Sequence, residues 1–222
     1  MTIVETLRSR FRPEWKTRTD LAGLDTMLED ALSFIAAPKL KKAALEKPGT
    51  LNGRGVAEAL RRDLGKHVVP ELRRILRVVG ERREAMKHER ATLAKPKIDA
   101  TDLAAAMLRQ ELRTYLRGLD LSERMTALTD KPDPAMLAAA LEAPAALSGL
   151  TAETRAHVEE AYVQANHART LNAMDDREEA LAVVGAAAQI AVMEVRSHVG
   201  IEPHAFDAWF TTADGTQERR AA

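Results

Sequence analysis

The sequence predicts an all-α fold, a helical bundle, on three observations. First, the segment 181–199, LAVVGAAAQIAVMEVRSHV, is apolar on nearly every side and is framed by Asp175-Asp176-Arg177-Glu178-Glu179 and Gly200. A helix hydrophobic all round belongs inside a protein or a membrane. Its uninterrupted apolar part, 180–188, falls far short of the roughly 20 residues that a bilayer requires. The segment therefore reads as a core helix, and Gly185 with Ala186, Ala187 and Ala188 lets neighbours approach closely. Second, apolar residues recur at helical spacing along most of the rest of the chain. Third, no run of β-branched or aromatic residues alternates in the strand period, and aromatic residues make up only 4% of the chain.

Residues 2–11 form a short first helix with Ile3, Leu7 and Phe11 on one face, and Pro13 ends it. Asp20 is placed to cap a second helix carrying Leu21, Leu24, Leu28, Leu32 and Ile35, which Pro38 should kink or break. A turn follows at Pro48-Gly49 and continues through Asn52-Gly53-Arg54-Gly55. Residues 56–93 then read as one long basic helix or two nearly collinear pieces. Its stripe is Val56, Leu60, Leu64, Leu72, Ile75, Val79, Met86 and Leu93, and Pro70 predicts a kink near Lys66 and His67.

Asp99 or Thr101 caps the next helix, with Leu103, Met107, Leu112 and Leu116 inward and Gly118 as its stop. Asp120-Leu121-Ser122-Glu123 has the form of a capping box, and Asp133-Pro134 starts another short helix. Residues 151–173 form a long amphipathic helix. The one or two residues before Asp175 predict that it lies antiparallel to the central helix. Phe206, Trp209 and Phe210 share one helical face near the end of the chain.

At 222 residues the chain can bury a substantial core without staples, and it has no Cys for disulfides or thiolate sites. The opening TIVETLRSRF lacks an apolar h-region, so neither a secretory peptide nor membrane insertion is expected, and the cytoplasm is the default location. The formal net charge of zero conceals a segregation. Residues 1–97 hold 22 Lys and Arg against 13 Asp and Glu, whereas 98–222 hold 11 against 20. The expected organisation is a basic N-terminal helical region at 1–97, a C-terminal helical bundle at 98–210 and a flexible tail at 211–222.

Three residue sets are candidates for function. Arg61, Arg62, Arg73, Arg74, Arg77, Arg82 and Arg83 lie on the basic stretch 54–97, where 13 cations face 6 acids. Such a helix can track nucleic-acid phosphates, although no helix-turn-helix, zinc-finger or RNA-binding signature accompanies it. The plainer reading is a solvated face paired with local acids. His157, Glu160 and His167 fall on one helical face, and Glu194 with His198 forms an i, i+4 pair, a set that a metal-dependent bundle enzyme could use. The spacing is Glu-x-x-x-His rather than the Glu-x-x-His of two-metal bundles, and Glu and His one turn apart are ordinary surface partners. Phe206, Trp209 and Phe210 offer a helix-in-groove contact to a partner or second copy, or else cover an end of their own core. No nucleophile elbow, Walker lysine or dinucleotide fingerprint is present, and no cofactor is expected.

Arg113–Arg124, RTYLRGLDLSER, and residues 141–150, LEAPAALSGL, are similar to segments of uncharacterised helical proteins of tailed phages and prophages. The resemblance covers 102–196, implies no catalytic residue, and points toward virion assembly or host interaction. The sequence as a whole reads as a non-enzymatic helical interaction or assembly protein that self-associates through its helix surfaces. Nucleic-acid binding through 54–97 and metal-dependent catalysis stand as alternatives.

Overall fold

The computed structural model describes residues 2–96, 99, 101–130 and 132–213. Among them are nine α-helices and no strand: α1 (Ile3–Arg10), α2 (Leu24–Glu46), α3 (Gly53–His67), α4 (Val69–Leu93), α5 (Leu103–Gly118), α6 (Leu121–Thr129), α7 (Pro134–Glu142), α8 (Ala152–His198) and α9 (Pro203–Thr212). Short 3-10 turns precede α2 and α8. The all-α class read from periodicity is the class observed. The chain groups into two compact units, one of Met1–Glu84 with Asp175–Ala222 and one of Ala85–Met174. Residues on both sides of Lys97 thus fall in one unit, and the change of charge sign there is no boundary. Both divisions instead run through helices, α4 and α8.

In the first unit, the segment expected to be central is buried as predicted, with Ala180, Val183, Val184, Ala187, Ala188, Ala191 and Val195 wholly enclosed. By length and composition alone α8 contains a window able to cross a bilayer, but half of that window is covered by the protein itself. The close approach that small residues allow is visible at Gly185, where an added Cβ would meet Val79 Cγ1 at 3.5 Å. Leu60, Leu64, Leu72, Ile75 and Val79 of α3 and α4 supply the buried stripe read from the sequence.

Prolines account for one helix boundary and spare another. The long basic helix is two: α3 closes at Val68 (φ −109°), and Pro70 sits second in α4, where its missing N–H costs no intrahelical bond. Pro38, by contrast, does not break α2, which continues to Glu46 with the proline ring buried inside it. A mid-helix proline costs about 3 kcal/mol, and burial along Leu24, Leu28, Ala31 and Leu32 holds the helix through it. Asp20 does not cap α2, since Gly23 (φ +79°) occupies that position.

Asp20 instead belongs to an ion-pair network that fixes the N-terminal segment. Arg18 donates to Asp20 at 2.7 Å and to Asp176 at 2.5 Å, Arg177 lies 3.7 Å from Asp20, and Arg12 bridges Asp176 and Glu179. Trp15, 1% exposed, packs edge-on to Phe11 beneath the Arg12 guanidinium. The acids of 175–179 therefore do not open a helix. The pair expected over 151–173 and 175–199 divides elsewhere: α8 is two helical segments that meet at a kink at His167 (φ −131°, ψ 24°), and the second runs on through Met174 into the acidic stretch. Leu171 and Met174 are buried against Val163, and no glycine or proline stands between them and Asp175, so nothing stops the helix there.

In the second unit α5 packs on α7 and on the 3-10 turn after it. Leu116, Leu128, Leu137, Leu141, Leu150 and Val158 form one cluster, and Val163, Leu171 and Met174 form another. Asp102, not Asp99 or Thr101, caps α5, while the capping box at Asp120–Glu123 and the Asp133-Pro134 start of α7 form as predicted. Thr211 and Thr212 of the expected flexible tail complete α9, and the rest of it, from 214, lies outside the described residues.

Gly185→Ala removes a helix-interior glycine at an ordinary contact distance and should stabilise by up to about 1 kcal/mol, whereas Gly185→Leu overpacks against Val79 and should cost about 1–3 kcal/mol. Paired urea melts read both. The bonds donated by Arg18 hold the Asp20 carboxyl below its ordinary range, against the opposing effect of burial. A carboxylate with depressed folded-state pKa stabilises above its unfolded value, and that contribution disappears as pH falls through the folded value. Asp20→Asn should therefore lower stability at neutral pH and flatten the acid limb of a stability-versus-pH curve.

Candidate functional site

The arginines proposed as a phosphate-tracking face are engaged within the fold. Arg61 donates to the carbonyls of Val199 (3.3 Å) and Gly200 (3.2 Å), where α8 ends. Arg73 reaches the carbonyls of Thr211 and Ala213 at the end of α9, the second at 2.7 Å. Arg82 donates to Ala22 O at 3.1 Å, ahead of α2. The last carbonyls of a helix lack intrahelical donors and carry partial negative charge, so a guanidinium is a fitting partner. Arg74 pairs with Glu71 at 2.7 Å, and Arg83 with Glu178 at 3.0 Å. Arg77 stands 3.8 Å from Glu81 with its side chain 69% exposed, and Arg62 is exposed as well.

The same device organises the second unit through arginines that the sequence reading passed over. Arg124 donates to Leu116 O (2.7 Å), Leu119 O (2.6 Å) and Gly149 O. Arg155 caps the end of α7 through Leu141 O (2.7 Å) and Ala143 O, and Arg117 reaches Leu147 O at 2.9 Å. Gly149 is required twice over. Its φ is +71°, and a Cβ there would meet the Arg124 guanidinium at 3.0 Å. Arg109, 7% exposed, donates to Glu142 at 2.8 Å, and Arg113 shares that carboxylate at 3.2 Å. The available signal was positional: helix stops at Gly118 and near Pro144, with Arg124 and Arg155 in the helix that follows each.

The metal set is not assembled. Among the described residues no group of three or more His, Asp or Glu is placed to hold an ion. Glu160 is bound by Arg90 at 2.9 Å and by Gln164 at 3.1 Å, and the Arg90 bonds hold its carboxyl below the usual range. His167 packs edge-on to Tyr162. His198 Nδ1 lies 2.9 Å from Glu194 O, and the Glu194 carboxylate is 3.8 Å away. His157 stands exposed on α8.

The terminal aromatics close on themselves. Phe206 is 2% exposed, stacks with Phe210 and tilts against Trp209, and the Arg196 guanidinium lies over its ring at 5.4 Å. Trp209 and Phe210 remain half-buried.

A cavity of about 720 Å³ opens in the second unit between Leu93, Pro96, Pro134, Leu137, Tyr162 and His167. Its volume suits a small molecule. Lys95, Tyr162 and His167 are the ionisable side chains among the described residues that line it, and no carboxylate is among them.

No family model, curated protein or solved structure matches the chain.

The surface that most departs from expectation is α5. Leu103 and Met107, read as inward, are 73% and 64% exposed, and Leu108 and Tyr115 are more than half exposed. The buried side is formed by Arg109 and Leu116. Apolar residues on α5 cover both of its sides, so periodicity alone could not say which side faces in. Six of the ten exposed large hydrophobics among the described residues lie between Leu103 and Leu147, which makes a concentration rather than scatter.

Replacing Arg124 with Lys keeps the charge but loses the planar fork that reaches three carbonyls. Arg124→Lys should lower unfolding stability by about 1–3 kcal/mol, read by chemical denaturation, while Arg77→Lys should change it by less than about 0.5 kcal/mol.

Proposed function

We propose that the chain is a non-enzymatic interaction or assembly protein that works through its helix surfaces and self-associates. The observation that carries this reading is the exposed apolar side of α5, with Leu103, Met107, Leu108 and Tyr115 all uncovered. Leaving four large hydrophobics in water along about 18 Å of helix is costly for an isolated protein, and covering them on association returns that cost. The likeness of 102–196 to helical phage and prophage proteins agrees with an assembly role.

Nucleic-acid binding is the weaker reading. Arg61, Arg73 and Arg82 are committed to main-chain carbonyls, and Arg74 and Arg83 to carboxylates, so recruiting them to phosphates would break contacts within the fold. Metal-dependent catalysis has no assembled ligand set among the described residues.

Light scattering on purified protein across a salt series, with and without duplex DNA, tests the choice. Apolar association predicts a mass above the monomer that persists or grows as salt rises, with no DNA-dependent increase. A monomeric protein that binds DNA at low salt and releases it at high salt would overturn the interaction reading.

A further inference from the structure

We propose that the cavity of the second unit binds an apolar carboxylic acid, with the carboxylate toward Lys95 and His167 and the hydrocarbon among Leu93, Pro134 and Leu137. The proposal is independent of the self-association reading. It concerns one unit alone, since every residue that lines the cavity falls within Ala85–Met174.

The place of the cavity in the core comes first. Leu137 belongs to one of the two apolar clusters of this unit, Leu93 packs on the other, and Tyr162 packs against both. The cavity of about 720 Å³ therefore stands where the two clusters meet. Protein interiors pack to the density of organic crystals, so two cores seldom leave such a gap between them. Its volume lies within the range of about 300–1,000 Å³ typical of small-molecule sites, and a hydrocarbon seated there leaves water for apolar contact.

The backbone is irregular at the same place. α8 breaks at His167. Helix kinks ordinarily trace to proline, to glycine and serine, or to an inserted group, and residues 152–174 include no Pro, Gly or Ser. At the break the imidazole lies edge-on to Tyr162, with ring centroids 5.9 Å apart, and both rings line the cavity.

The polar groups of the wall select the ligand. Thr92 Oγ1 donates to His88 O at 3.0 Å and Asn166 Nδ2 to Tyr162 O at 2.8 Å, so both are spent on the main chain. Lys95 Nζ, Tyr162 Oη and the His167 ring nitrogens have no hydrogen-bond or ion-pair partner among the described residues. The wall thus offers three donors, two of them able to carry positive charge, and its complement is an anion. Acids near the lining segments do not supply it. Asp133 accepts from Ala135 N at 2.6 Å at the start of α7, Glu160 is held by Arg90, Asp99 accepts from Thr101 N at 2.8 Å, and Asp130 stands outside the lining. The lining holds no arginine fork among the described residues, which suits a single carboxylate rather than a phosphate. Lys95 is exposed while Tyr162 and His167 are half-buried, so the charged head stays near water and the body lies further in.

Calorimetric titration of the full chain with naphthoate, with decanoate and with the neutral naphthamide tests the site. One saturable site per chain is expected for the acids, with naphthamide at least about fivefold weaker than naphthoate. Whichever acid binds more tightly tells a ring from a chain, and either order supports the site. Lys95→Glu should weaken naphthoate at least about tenfold and leave naphthamide within about twofold. Ala165→Trp, at an exposed position of the lining, should abolish binding of both once circular dichroism has shown the helical fold intact. If that variant does not fold, Lys95→Glu with the two naphthyl probes decides. Failure of both acids to saturate, naphthamide binding as tightly as naphthoate, or naphthoate binding unchanged by Lys95→Glu would overturn the proposal.

Discussion

The constraint on which the structure most depends is the supply of donors to the carbonyls at helix ends. A short all-α chain with nine helices among its described residues must close many C-termini, and each leaves carbonyls without intrahelical partners. Glycine in the left-handed region closes α8 and the turn before it, at Gly200 (φ +61°) and Gly149 (φ +71°). Arginine does the rest. Arg61, Arg73, Arg117, Arg124 and Arg155 each donate to main-chain oxygens at or just beyond a helix or 3-10 turn. A guanidinium is suited to this because its planar fork reaches two or three oxygens at once and its charge complements the helix dipole. In a chain without cysteine and with few aromatics, these bonds give the bundle geometric definition that apolar packing alone leaves loose.

That assignment changes how the charge distribution is understood. An excess of cations along 54–97 resembles an electrostatic footprint for a polyanion, yet most of these groups have partners that belong to the protein. Where Arg18, Arg12 and Arg83 meet Asp20, Asp176, Glu179 and Glu178, the opposite charges of distant sequence segments hold the N-terminal segment and α4 onto the same unit. The segregation of charge along the sequence thus works inside the fold. The side of α5 that carries Leu103, Met107, Leu108 and Tyr115 is left exposed and apolar.

Much of the fold was legible because its signals were local and one-sided. The enclosed helix around Gly185, the buried stripe from Val56 to Val79, the capping box at Asp120 and the proline start of α7 each depend on periodicity or on one capping residue. The failures came where two signals competed. Asp175–Glu179 reads as an acidic first turn, but Leu171 and Met174 carry the helix across it, and the acids serve arginines elsewhere in their unit. Pro38 reads as a breaker, yet burial holds α2 intact. On α5 the apolar residues exceed what one face can hold, so a rule that sends hydrophobics inward placed Leu103 and Met107 on the wrong side. The candidate surface was least legible for that reason: periodicity does not say which of two apolar sides of a helix faces in.

The account stands or falls on the arginine bonds, and nuclear magnetic resonance of the guanidinium groups observes them directly. With arginine labelled in nitrogen-15, a side chain held by carbonyls shows slowed rotation about its Cζ–N bonds and separately resolved Hη signals protected from exchange. The account predicts such signals for Arg61, Arg73, Arg124 and Arg155, beside averaged, rapidly exchanging signals for Arg77. Uniformly averaged signals from all five would contradict it.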